Sequence, residues 1–149
     1  MHEIKKILLE GGHSLVIKPM TQSSEANKDK PLVFDGRGVS DLMRLLSTEP
    51  EVLEGAEIAD KVVGKAAAAL MMLGKVKAVY AETISEAALQ LFASATDVSV
   101  SYHEKVDYII NRTQTGWCPM ELATRDATTP EECLERIKAK LIELKGNKK

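Results

Sequence analysis

Apolar positions recur at helical spacing in Ile4, Ile7 and Leu8, and Gly11-Gly12 closes that first short helix, Ile4 to Glu10. His13 to Lys18 reads as a strand around Leu15-Val16-Ile17, and Leu32-Val33-Phe34 as a second. The polar, turn-rich run from Pro19 to Lys30 joins them as a loop. Asp35-Gly36-Arg37-Gly38 then turns the chain into a helix from about Ser40 to Ser47. Its inner face is Leu42, Leu45 and Leu46, and Pro50 lies beyond its end.

The middle of the chain is the most apolar. Glu57-Ile58-Ala59 reads as a short strand, with Asp60 placed to cap a helix over Lys61 to Leu73. That helix is apolar nearly all round, which suits a central element covered on both sides. Gly74 ends it. Val76 to Ala81 reads as a strand buried on both faces, as strands of parallel sheets are. Ser85 caps a helix from Glu86 to about Ala95, and Val98 to Tyr102 alternates as a fifth strand. Val106 to Ile110 is apolar and fits either strand or helix. Thr129-Pro130-Glu131-Glu132 has capping-box spacing with proline at the first helical position, and Leu134, Ile137, Leu141 and Leu144 form one stripe after it. Helices between consecutive strands argue for a layered α/β sandwich. In such sheets ligands bind beyond the carboxyl ends of the strands. No repeat breaks the chain, so residues 1–149 are expected to form a single domain, with a C-terminal extension from about residue 107 to 149.

Composition narrows the function classes. Twenty basic against 22 acidic residues give a net charge of −2, so no global field draws in nucleic acid or an anionic membrane. Six aromatics, two Phe, three Tyr and one Trp, are too scattered to stack bases. The apolar run Ala66 to Leu73 is far short of the roughly 20 residues of a membrane span. A cytoplasmic location is expected, with no nucleic-acid polymer and no membrane as partner. A homodimer is admitted, the apolar termini and Val106 to Ile110 being the faces a second copy could take. Cys118 and Cys133 make no disulfide framework, and neither they nor His2, His13 and His103 have metal-ligand spacing, so no metal and no cofactor are expected.

The least periodic stretch is the most chemically loaded: Asn111-Arg112-Thr113-Gln114-Thr115-Gly116-Trp117-Cys118-Pro119-Met120-Glu121. Cys118-Pro119 reads as a helix start with Pro119 at the first position, Cys118 at the cap and Glu121 at the third position. A thiol at that place meets unsatisfied amides, which can lower its pKa from about 8.5 into roughly the 3.5–7.5 range. Cys118 is therefore a candidate nucleophile, set against the alternative of a small inert buried residue. Asn111, Arg112 and Thr115 supply donors suited to phosphate or carboxylate, although such residues also build ordinary turns. Arg37 lies in a glycine turn that could admit a ligand. Lys61 and Lys65 are four apart, so in a helix beginning at Lys61 they would share a face near its positive end, where a bound anion would offset their repulsion. The plainer alternative is that both snorkel outward to nearby carboxylates.

The motifs Gly36-Arg37-Gly38-Val39, Asp60 through Ala67, Val79-Tyr80-Ala81-Glu82 and Asn111 through Glu121 resemble, in this order, a family catalogued only as a domain of unknown function, whose fold is similar to cytidine deaminase. The resemblance implies a three-layer α/β/α sandwich with a mixed, cytidine deaminase-like sheet of about five strands. Zinc deaminases carry His-x-Glu at the start of the central helix and Pro-Cys-x-x-Cys at the next helix start. Here those places read Asp60-Lys61-Val62 and Glu82-Thr83-Ile84-Ser85-Glu86, with no zinc ligand set. The expectation is a zinc-free, deaminase-like protein binding a small anionic, nucleotide-like ligand. Lys61, Lys65 and Arg112 would hold the anion, Asp60 would orient Lys61, and Cys118 would be the reactive group of any catalysis, with Glu121 beside it as a proton acceptor. The alternative is a non-catalytic binding or regulatory module that has lost the metal site.

Overall fold

The computed structural model describes residues 2–19, 31–35, 39–94, 97–109 and 119–146. In chain order the elements are α1 (His2–Gly11), β1 (Leu15–Lys18), β2 (Leu32–Phe34), α2 (Ser40–Thr48), β3 (Glu57–Val63), α3 (Lys65–Leu73), β4 (Ala78–Ser85), α4 (Glu86–Ala93), β5 (Ser99–Val106), α5 (Pro119–Thr124) and α6 (Pro130–Gly146). A 3-10 turn at Pro50–Val52 follows α2. The five strands form one mixed sheet of order β2-β1-β3-β4-β5. β1 runs antiparallel to both β2 and β3, whereas β3, β4 and β5 are parallel. The result is a three-layer α/β/α sandwich.

Alternation along the strands sorts their side chains into two cores. Leu15, Ile17, Ile58, Val79 and Ala81 pack with Leu42 and Leu45 of α2, Leu70 and Met71 of α3, Leu91 and Phe92 of α4, and Ile137 of α6. On the opposite face Val16, Ala59 and Tyr80 pack under Ile4 and Leu8 of α1. The crossovers β3-α3-β4 and β4-α4-β5 lay α3 and α4 on the same side of the sheet, as connections of one hand must when the strands follow one another in a single direction.

The central strand differs from the sequence expectation. β3 runs on through Asp60, Lys61 and Val62 to Val63, and α3 starts at Lys65 with Gly64 as its N-cap. Asp60 therefore does not cap α3, and Lys61 and Lys65 do not share a helix face. Val62-Val63 are β-branched, and Gly64 inside a helix would cost about 1 kcal/mol relative to alanine; both favour a strand ended by a glycine cap. β4 and β5 also run four residues further than expected, to Ser85 and Val106, so Val106 ends a strand.

Several caps match their sequence signals. Ser85 accepts the Ala88 amide at 3.2 Å, and Pro119 and Pro130 each open a helix. At α6 only half of the capping box forms. Thr129 Oγ1 accepts the Glu132 amide at 3.1 Å, while the Glu132 carboxylate accepts from Thr128 Oγ1 at 3.1 Å.

The end of α3 holds the one non-glycine residue with positive φ among those described, Lys75 at +62°. Glycine stands one position earlier, where a Cβ on Gly74 would lie 2.8 Å from Leu53 Cδ1 and 2.9 Å from its Cβ. Packing thus places the glycine, and Lys75 takes the left-handed turn that lets the Val76 amide reach Met71 O at 3.1 Å. Lys75→Gly is expected to raise stability by up to about 1 kcal/mol, read as a higher denaturant midpoint at unchanged slope.

Candidate functional site

The described candidate groups lie along β3 (Asp60, Lys61), at the start of α3 (Lys65) and in the first turn of α5 (Glu121). Asp60 lies in a row of paired residues crossing the whole sheet, Phe34, Leu15, Asp60, Ala81 and Tyr102. Its immediate neighbours in that row, Leu15 and Ala81, belong to the helix-side core, so the carboxyl group faces a dry layer. Burial pushes its pKa up to about 7, against hydrogen bonds from the Val62 and Lys61 amides that lower it. The Val62 amide donates to Asp60 Oδ1 at 3.2 Å. An acid that exchanges its proton near neutrality is suited to general acid–base work.

Lys61 follows Asp60 in an extended strand, so the two side chains leave on opposite faces. Lys61 is exposed, and its backbone amide donates to Ser14 O at 3.0 Å. Asp60 therefore has no orienting role on the Lys61 ammonium.

Glu121 is the group the sequence undervalued. It is 3% exposed, on the first turn of α5, and its carboxylate accepts the Lys65 amide at 2.7 Å and the Ile109 amide at 3.2 Å. Gly64 gives α3 no side-chain cap, so an acid 56 residues further along the chain supplies it. The fit depends on the missing side chain: a Cβ on Gly64 would lie 2.7 Å from Glu121 Oε1. A negative group against free amides at the positive end of a helix is favourable on both counts. The sequence signal for this contact was the glycine, which admits a close approach; the approaching group is the chain's own carboxylate.

Lys65 completes the same junction. Its ammonium donates to Arg125 O at 3.2 Å and to Ala127 O, tying the first turn of α3 to the link between α5 and α6. That cation is thus already engaged by carbonyls. Arg37, Asn111, Arg112, Thr115 and Cys118 lie outside the described residues; α5, the helix that Cys118 precedes in sequence, docks at the start of α3 through Glu121. Cys133, on α6, is fully buried, and burial raises its thiol pKa.

A second polar cluster lies on the α1 face of the sheet. The Tyr80 hydroxyl donates to Glu82 Oε2 at 2.5 Å, and the Lys5 ammonium stands 4.5 Å from the centre of the Tyr80 ring. Burial, then the Glu82 carboxylate, raises the Tyr80 pKa to about 12, so it stays a neutral donor. Among the described residues no three His, Cys, Asp or Glu side chains form a metal-holding group, and no helix is long and apolar enough to cross a membrane.

Comparison with known proteins gives the chain a family. No curated protein matches it. A crystal structure of a DUF1893 family protein, TM1506 from Thermotoga maritima, superposes with a TM-score of 0.79 at 26% identity, covering 93% of this chain and 88% of that one. The model of the TM1506 family, described as a domain of unknown function (DUF1893), matches residues 3–141. The chain belongs to the DUF1893 family.

Proposed function

We propose that this chain is a zinc-free protein of cytidine deaminase-like fold that binds a small anionic ligand, nucleotides being the class to test first, without deaminating it. The observation that carries the zinc-free part of the proposal is the Glu121 carboxylate, which accepts the Lys65 amide at the start of α3 and the Ile109 amide beyond β5. In the deaminase-like reading α3 and α4 are the helices whose first turns would bring the zinc ligands. Their starts read Gly64-Lys65-Ala66 and Ser85-Glu86-Ala87, neither of them a zinc ligand pair; the Glu86 carboxylate pairs with Lys105 at 3.0 Å and that of Glu121 is spent on two backbone amides. These residues do not fit a zinc ion, so no step through an activated water is derived. Lys61 and Arg112 are the cations proposed to meet the anion, with Asn111, Thr115 and Arg37 as further donors, and Lys65 is withdrawn from that set. The same reading puts the protein in the cytoplasm and admits a homodimer. Thermal-shift titration with a nucleotide panel is expected to give saturable stabilisation that Lys61→Ala weakens. Stoichiometric zinc together with cytidine deamination would overturn the proposal.

A second reading rests on Asp60. A carboxyl titrating near 7 is a proton acceptor for a thiol, and Cys118 is the reactive group this reading needs. Alkylation at graded pH separates the two, because the buried Cys133 thiol competes poorly. A Cys118 pKa below about 7.5 is the catalytic outcome, and one near the free value of about 8.5 leaves binding alone.

A further inference from the structure

The amino ends of β4 and β5 carry a cavity of about 370 Å³, at the opposite end of the sheet from the junction of Glu121 with Lys65. Its size is within the range of small-molecule pockets. The apolar part of its wall includes Met72 at the end of α3 and Val98 at the entry to β5. Four charged residues complete the lining: Lys75 and Lys77 from the turn before β4, Asp97 before β5, and Glu131 in the first turn of α6. The charges are balanced, two of each sign, and none of the described ion pairs joins them.

A second feature converges on this spot. Lys75 is the non-glycine residue held in the left-handed conformation among those described, a conformation that crowds a Cβ. Glycine would make the same turn without that crowding. A lysine there turns a strained position into a cation on the cavity wall, and strain kept at a cavity is a pointer to a ligand.

We propose that this cavity is a binding site for a small zwitterion with an apolar body, such as an aliphatic α-amino acid. Its carboxylate meets Lys75 and Lys77, its ammonium meets Asp97 and Glu131, and its side chain covers Met72 and Val98. A simple anion would leave the two acids facing it, and a simple cation would face the two lysines. Only a molecule carrying both charges uses all four groups. The site is independent of the one proposed at the carboxyl ends of the strands.

The test is an amide NMR titration of the full chain with L-leucine, 4-methylpentanoate and 3-methylbutylamine in parallel. Leucine is expected to shift the Val76, Lys77 and Val98 amides saturably, with the other two at least about tenfold weaker, as expected when one charged contact is lost. Lys75→Gly is expected to weaken leucine binding by about tenfold or more while the protein becomes more stable, and Lys75→Arg is expected to retain binding. Absence of shifts at those amides, equal binding of the three probes, or a Lys75→Gly variant that binds leucine as the parent does would each overturn the proposal.

Discussion

Replacing Glu121 with alanine is expected to cost about 3 kcal/mol of folding free energy, because two part-buried amides lose their acceptor and a helix start loses its countercharge. The amides are those of Lys65 and Ile109, and the acid that serves them is itself buried, so water cannot simply take its place. Glu121→Gln is expected to cost less. Its carbonyl oxygen can keep the shorter bond to Lys65, while its NH2 group would face the Ile109 amide as a second donor. Gly64→Ala attacks the same contact from the other side, by pressing a methyl group to 2.7 Å from Oε1 and 3.2 Å from Ile109 Cγ1. Urea unfolding of the two single variants and the double variant gives the coupling between them. The double variant is expected to be less destabilised than the sum, since with Glu121 gone the methyl group has less to displace. Strict additivity would show that Glu121 and Gly64 stabilise the fold separately.

The second large effect is set by pH. Asp60 has a folded pKa of about 7 against 3.8 for an unperturbed aspartate. Below about pH 4 it is protonated in both states and contributes no difference. Between about 4 and 7 the unfolded chain releases this proton while the folded chain retains it, so stability falls as pH rises. Above about 7 the loss is complete. At about 1.36 kcal/mol per unit, the outer limit of the effect is about 4 kcal/mol. Asp60→Asn keeps an oxygen for the Val62 amide and removes the titration. Relative to the parent, that variant is expected to gain a few kcal/mol above pH 7 and nothing at pH 4. Denaturant unfolding across that range measures it, and a constant difference at all pH values would show that Asp60 does not titrate there.

Much of the architecture was written locally. Ser85, Pro119 and Pro130 announce helix starts by their own backbone chemistry, and the structure has helices beginning there. The β3-to-α3 boundary was harder to read, because Lys61-Val62-Val63 fits an apolar helix as well as a strand until its pairing is known. Register decides it: Val62 and Val63 pair with Thr83 and Ile84 of β4, contacts no local pattern records. The candidate site was legible in part for the same reason. Glu121 stands out in the sequence for its place at a helix start, but its partner lies 56 residues back in the chain. Asp60 reads locally as a helix cap, whereas its character comes from the apolar residues paired beside it in the sheet.

The bond from Glu121 to the Lys65 amide also bears on the order in which the molecule is made. A chain emerging from the ribosome presents the central helix long before the acid that closes its first turn. Until residue 121 arrives, Gly64 and Lys65 begin a helix with a bare amino end, and the Lys65 ammonium lacks the carbonyls of Arg125 and Ala127. Nascent chains halted before α5 should therefore exchange the amide hydrogens at the start of α3 quickly, while those at its far end are already slow. The final segment thus acts as the latch that completes an element synthesised near the middle of the chain.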